Sequence, residues 1–253
     1  MTQYFLGQGK MFIASRDSAG NPKAQRWLGD VSAAKIGLKT DNVKHKESYS
    51  GQRATAKNIV VGKEATIDMT LMEISQDNLC LAIYGKSSSI ASGSVTGEVL
   101  PLALVAGDRV SLKYIKVSTV VITDSTPVTP LVVSALKYDV DADFGTITFK
   151  DVTGLVQPLK VAYTHAALDN VSVFTAPQPE VFLRYEGINL AEGNAPIVLE
   201  MYKVNTDPLK DLALITDKLA DMNISASILI DNTKPVSDEF GQFGRILQVT
   251  PIP

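Results

Sequence analysis

The sequence predicts a mainly β protein with long alternating strands near both ends, one short helix, and a small unit of short strands set into the middle. Three observations carry this. Ala65–Met72 alternates apolar Ile67, Met69 and Leu71 with polar Thr66, Asp68 and Thr70, and Ala195–Val204 and Asn223–Ile230 repeat the period. Ser75 ahead of an apolar-periodic run, with Gly85 behind it, marks a helix over Ser75–Tyr84. Between residues 106 and 169, short apolar runs are separated by turn residues, including Pro127, Pro130 and Pro158, a spacing that suggests a small sandwich.

The remaining elements follow in order. Lys10–Arg16 and Lys23–Leu28 flank Asp17–Pro22, whose Ala-Gly-Asn-Pro reads as a turn, giving a first hairpin. Val31–Leu38 is the next strand. Thr40–Lys57 then carries no aliphatic run and reads as a long polar loop, far longer than a connection between two strands requires. Ser87–Glu98 is rich in Ser and Gly and reads as loop. In the middle unit the expected strands are Arg109–Val117, Val120–Thr123, Leu131–Val133, Lys137–Val140, Thr146–Phe149 and Leu159–Thr164, with Asp139–Gly145 as a hairpin corner. Beyond it come Val181–Tyr185, a bend at Gly187, Ala195–Val204, a helical turn begun by Thr206-Asp207-Pro208, Asn223–Ile230, and Arg245–Val249. The tail holding Pro251 and Pro253 is unsuited to a strand ladder. The domain division is therefore 1–105 with 170–253, interrupted by 106–169.

Charge is divided along the chain. The net charge is only -3, which does not suggest a nucleic-acid binder. Yet residues 1–60 hold ten Lys/Arg against four Asp/Glu, and residues 180–239 hold five against eleven. Such asymmetry fits two readings equally: ordinary solvated surface, or a basic face on one copy meeting an acidic face on the next, and head-to-tail contacts of that kind build rings or filaments.

Motifs with catalytic or metal chemistry fail on inspection. Cys80 is the single cysteine, which excludes an intramolecular disulfide and a thiolate metal site; it reads as a small buried residue of the helix. His45 sits among lysines in the polar loop and His165 ends a strand, so neither is read as a base. Gly85-Lys86-Ser87 lacks the upstream glycine of a phosphate-binding loop, since Cys80 stands there. Asp139, Asp141 and Asp143 imitate a calcium loop, but Phe144 and Lys150 stand where Gly and Glu are needed. Trp27, between Arg26 and Leu28, reads as an amphipathic anchor at an edge or interface. No catalytic residue, metal site or cofactor is expected. No apolar run reaches membrane-spanning length, and Met1–Gly9 lacks the apolar core of a signal peptide.

Taken together, several stretches resemble the tail tube proteins of tailed bacteriophages: GKMFIASRDSAGNP, RWLGDVSAAKIGLKT, DNVKHKESYSGQRA, ATIDMTLMEISQDNLCLAIYG and DKLADMNISASILID. The resemblance covers residues 1 to about 105 and about 170 to 253. It implies a tail-tube-type β-sandwich or barrel with one flanking helix, assembled as hexameric rings that stack into a tube through which DNA passes to the host without specific binding. It implies an inter-ring role for the segment holding Asp41, Lys44, His45, Lys46, Glu47, Tyr49 and Arg53, and packing of the helix on the sandwich through Leu79, Cys80, Ile83 and Tyr84. It also implies tape-measure, tail terminator and baseplate or tip partners, a place in the virion tail after synthesis in the host cytoplasm, and no membrane. Residues 106–169 depart from the plain pattern and look like an inserted immunoglobulin-like decoration. The acidic residues between 180 and 239 would suit lumen-facing strands, because a conduit for DNA should not hold phosphate tightly. A virion host-contact or carbohydrate-binding module is the alternative; the few aromatics in the middle unit argue against it.

Overall fold

A computed structural model describes residues 4–249; the tail with Pro251 and Pro253 lies outside them. The chain is mainly β. It runs through β1 (Gly7–Ser15), β2 (Arg26–Trp27), β3 (Val31–Lys46), β4 (Thr55–Leu71) and α1 (Gln76–Ala82). It then enters β5 (Lys86–Ile90), β6 (Gly93–Val99), β7 (Arg109–Ser111), β8 (Val117–Thr123), β9 (Tyr138–Asp141), β10 (Thr146–Phe149), β11 (Lys160–His165) and β12 (Leu168–Ser172). It closes with β13 (Glu180–Asn189), β14 (Ala195–Thr206), β15 (Met222–Ile228) and β16 (Gly244–Gln248). Two compact units result: one from the residues up to Ser87 and from Val171 onward, the other from Ser88–Asn170. The inserted unit therefore begins before residue 106. Ser87–Glu98, expected as loop, supplies β5 and β6, whose small polar residues form strands because β12 and β11 pair with them.

The first unit is built on an antiparallel eight-stranded sheet in the order β2-β1-β13-β14-β15-β4-β3, with β16 also paired to β14. The alternating runs turn their apolar side inward, except that Ile230 lies beyond β15 and is exposed, and Ile197 and Leu199 are only partly buried. Ile67, Met69 and Leu71 of β4, Ile224 and Ala226 of β15, Met201 and Val204 of β14, Leu183 of β13 and Ile13 of β1 join in one core. Helix α1 lies on this core through Ala82, with Leu79, Leu81 and Ile83 beside it. Its start is the expected one, since the Ser75 hydroxyl accepts from the Asn78 amide. Asn78 is itself buried: its amide donates to the carbonyls of Leu28 and Glu73, and its oxygen accepts from Arg26. Cys80 is half-buried and lines a separate groove near Ile13 and Arg26, so its expected place in the core is corrected. The reason is helical geometry, which turns position 80 away from the face holding 79 and 83.

Two other expectations differ from the structure. The bend expected at Gly187 is absent, and β13 runs straight through it in register with both β1 and β14. The gap at Gly187 is filled from the same strand: a Cβ there would meet the Tyr185 hydroxyl at 2.1 Å. The helical turn expected after Thr206 is also absent; β14 ends there, and 207–221 is irregular. A partly buried ion network ties the end of β1 to the start of β13 and to the segment after β15. Arg16 reaches Glu180 and the buried Asp231, each at 2.6 Å, and Thr233 donates to the same Asp231 carboxylate.

The second unit has two three-stranded sheets, β7-β10-β9 and β6-β11-β8. Ile147 and Phe149 of β10 meet Val161 and Tyr163 of β11 and Ile122 of β8 in a core of its own. Its expected strands at 146–149 and around 160–164 are present. The corner expected over Asp139–Gly145 is shorter: Asp139–Asp141 is already β9, and 142–145 makes the turn into β10, with Gly145 at φ 59°, where a Cβ would lie 2.1 Å from the Tyr114 carbonyl. Leu131–Val133 makes only an isolated bridge to Thr123. The fully buried Asp124 organises that loop: its carboxylate accepts from the Thr126 amide and hydroxyl and from the amides of Leu131 and Val156.

Phe149 is completely buried, so Phe149→Ala should cost about 3–5 kcal/mol. Denaturant unfolding should show that loss, and hydrogen exchange should place it in Ser88–Asn170 while β13–β15 stay protected.

Candidate functional site

The feature that sets this fold apart from a closed domain is the β3–β4 hairpin. The sequence reads Thr40–Lys57 as loop, and that reading is corrected here: Thr40–Lys46 belongs to β3, Thr55–Lys57 to β4, and only Glu47–Ala54 connects them. Polar composition alone does not exclude a strand whose two faces both meet water. The strands stay in antiparallel register from Val31↔Leu71 to Lys46↔Thr55, with irregularities after Val31, Asp41 and His45.

Packing divides the hairpin in two. On its far side β4 is paired to β15, but only over Ala65–Leu71. There the burial alternates, with Ala65, Ile67, Met69 and Leu71 inside. From Lys39↔Glu64 outward, eight register pairs continue with no strand on either flank among the described residues. At about 3.3 Å per residue this arm extends roughly 25 Å beyond the core. Nearly all of it is exposed, its aliphatic residues included: Val43 at 55%, Ile59 at 46%, Val60 at 51% and Val61 at 63%. Val43 and Ile59 stand directly opposite and share a face. An isolated two-stranded ribbon is at best marginally stable in water, and its free edges invite another strand.

The tip is nonetheless built. Glu47 turns its carboxylate inward and is almost fully shielded by its own turn. It accepts from the Ser50 hydroxyl and from the amides of Ser50 and Tyr49, each amide at 2.9 Å. The Ser50 hydroxyl first, then these amides, hold its pKa down at about 2. The turn leaves Tyr49 87% exposed and places Arg53 at φ 51°. Lys44, His45 and Lys46 are exposed on the strand leading to it. Of the residues expected to act together here, Lys44, His45, Lys46, Tyr49 and Arg53 present outward, Glu47 is structural, and Asp41 lies further down the arm, 3.5 Å from Lys39, which also binds Glu64 at 2.9 Å.

Other expected residues are scattered. Trp27 is half exposed on the edge strand β2 with Lys10 5.2 Å from its ring centroid. Tyr84 donates its hydroxyl to the Thr206 carbonyl and stacks edge-on to Phe174, and Leu79 and Ile83 pack on the core. His165 is buried, stacks on Tyr114 at 4.0 Å and shares a hydrogen bond with the Ala166 carbonyl through Nδ1, a structural placement. The three aspartates that imitate a calcium loop are held in ion pairs, Asp139 with Lys150, Asp141 with Arg109 and Asp143 with Lys116. Among the described residues no cluster of His, Cys, Asp or Glu is placed to hold a metal, and no helix is long and apolar enough to cross a membrane.

Sequence reasoning missed a groove of about 790 Å³ where β4 parts from the end of β15, lined by Val60–Thr66, Ser227–Ile230 and Phe243. The signal is present in the sequence: the strand expected at Ala65–Met72 begins at 65, yet Ile59-Val60-Val61 already carries apolar β-branched character ahead of it.

Comparison with known proteins places the chain in one family. A family model described as protein of unknown function UCP028589 matches residues 4–247, so the chain belongs to that family. No curated protein matches.

The tip gives a direct measurement. A carboxylate with a lowered folded pKa stabilises above its unfolded value of 4.5 and loses that contribution as pH falls through about 2. The amide resonances of Tyr49 and Ser50 should therefore titrate together near the lower value and stay unchanged from pH 5 to 7. Glu47→Gln should erase that titration and leave both amides exchanging freely at neutral pH.

Proposed function

We propose that this member of the UCP028589 family is a structural subunit that assembles with copies of itself into the stacked rings of a bacteriophage tail tube. The observation that carries the reading is the β3–β4 arm: it extends past its own core with both edges and several aliphatic side chains bare. A monomer gains little from such an arm, since the backbone groups on its two outer edges are satisfied only by water and its apolar residues only by another surface. A second copy supplies both.

The finer fold follows the same reading. The eight-stranded sheet with α1 across its core corresponds to the tube domain, and the unit at Ser88–Asn170 to an immunoglobulin-like decoration carried on it. Sharing of sheet edges between neighbours would close the rings, and the arm would reach from one ring to the next through Lys44, Lys46, Tyr49 and Arg53. The tape-measure, tail terminator and baseplate proteins are the expected further partners, and DNA the passenger, bound at no specific site. In this reading the protein performs no chemistry.

Purified protein viewed by negative-stain electron microscopy should show rings or tubes. Asn42 and Val60 stand directly opposite, so Val43–Ile59 can be replaced by an Asn-Gly turn without disturbing the pairing below. That variant should fold with unchanged stability in the first unit and should no longer stack. Normal tubes from it would exclude the inter-ring role. Raising the salt from about 0.1 M to about 1 M, where the Debye length falls from ~10 Å to ~3 Å, should weaken assembly if the basic arm meets acidic surface.

A further inference from the structure

Residues 207–221 are the counterpart of the arm in the same unit: a segment whose needs the unit does not meet. Among the described residues, no backbone hydrogen bond joins Asp211–Thr216 to the rest of the unit. Leu214, Ile215 and Leu219 are exposed at 86%, 98% and 86%. Local collapse is limited, because only Leu209 and Leu212 of this stretch pack against the core. An apolar segment with free backbone groups is the raw material of an added strand.

The acceptor is the outer edge of β4. Its residues Thr55–Glu64 have β3 on one side and no strand on the other among the described residues, and the groove floored by Ile228, Ile230 and Phe243 lies along that edge. Lengths agree: Leu212–Leu219 fully extended covers roughly 26 Å, within the reach of the free edge. The segment is close to charge-neutral: Leu212–Leu219 holds Asp217 and Lys218, with Lys210, Asp211 and Asp221 beside it. Asp217 has no ion-pair partner among the described residues, and neither have Lys57 and Lys63 on β4, so Asp217 is the carboxylate that can meet them.

We infer that the Leu212–Leu219 segment of one copy adds as a strand to the outer edge of β4 in a second copy, filling the groove over Ile228 and Phe243. This rests on the reading that the chain assembles with itself. The contact cannot be made within one molecule. The segment leads into Met222, which pairs with Leu71, whereas the groove opens at Ile228, which pairs with Ala65. These are opposite ends of β15, about 20 Å apart at ~3.3 Å per residue. A donor at one end and an acceptor at the other make a heterologous contact, and such contacts propagate from copy to copy.

Cysteine cross-linking of the full chain tests this. In a Cys80→Ser background, one preparation carries Val60→Cys and another Leu214→Cys; both positions are at least half exposed. Mixed and oxidised, they should give a disulfide-linked heterodimer at least about tenfold above the yield from Leu214→Cys with Val128→Cys, a fully exposed position in the second unit. A separate Leu214→Asp, Ile215→Asp variant should reduce the assembled fraction in sedimentation by about tenfold while leaving the fold unchanged. If the parent chain assembles but the cross-link stays at the control level and the double variant assembles normally, the inference is wrong and self-assembly stands. If the parent sediments as a monomer at every concentration and salt, the assembly reading itself fails.

Discussion

The β3–β4 ladder is longer than the core that supports it, and most of what is distinctive in this protein follows from that mismatch. As far as Leu38↔Ala65 the hairpin is held by β15 and by apolar side chains beneath it. Beyond that pair the described contacts within the molecule are cross-strand hydrogen bonds, the exposed pairs of Lys39 with Glu64 and Asp41, and the Glu47 network at the tip. An exposed ion pair contributes little. The arm therefore depends on something outside the subunit for the burial that its Val43, Ile59, Val60 and Val61 would otherwise forgo. The same mismatch creates the groove, because β4 continues past the point where β15 stops.

Carboxylates folded into turns hold the irregular segments in place. Glu47 gathers the amides of the arm tip, Asp124 gathers three amides and a hydroxyl in the second unit, and Asp231 joins Thr233 to Arg16. In each case a short loop with unsatisfied donors is closed around one acceptor, and hydrogen bonds to the ionised form hold its pKa low against the opposing effect of burial. For the arm this matters twice: a ribbon with no core has at least a rigid end, so Tyr49 and Arg53 are presented in a set geometry. Pre-ordering of that kind lowers the entropic cost of docking.

The charge asymmetry of the chain is redistributed by folding. Of the acidic residues between 180 and 239, Glu180, Glu186, Glu200 and Asp231 are neutralised by Arg16, Lys203, Arg184 and Arg245 within the first unit. The unpaired acids that remain are concentrated in the irregular segments around 207–221 and 238–239. On the basic side, Lys39 is paired, while Lys44, Lys46, Arg53 and Lys57 are left for solvent or a partner. What is a difference between residues 1–60 and 180–239 in the sequence becomes a difference between an arm and a loop.

The alternating runs at 65–72, 195–204 and 223–230 and the Ser75 cap were legible from the sequence because burial on one side of a strand or helix imposes a period that composition cannot hide. The helix face holding Leu79 and Ile83 was legible for the same reason. The arm was read as a loop because its two faces are both wet, so no period marks it; only the register with β4 makes Thr40–Lys46 a strand. The groove, the bare edge of β4 and the pairing of Asp139, Asp141 and Asp143 with lysine and arginine were equally out of reach, since each depends on where one strand stops beside another. Local chemistry is written along the chain, whereas the end of a core is a property of neighbours that the chain brings together from more than 150 residues apart.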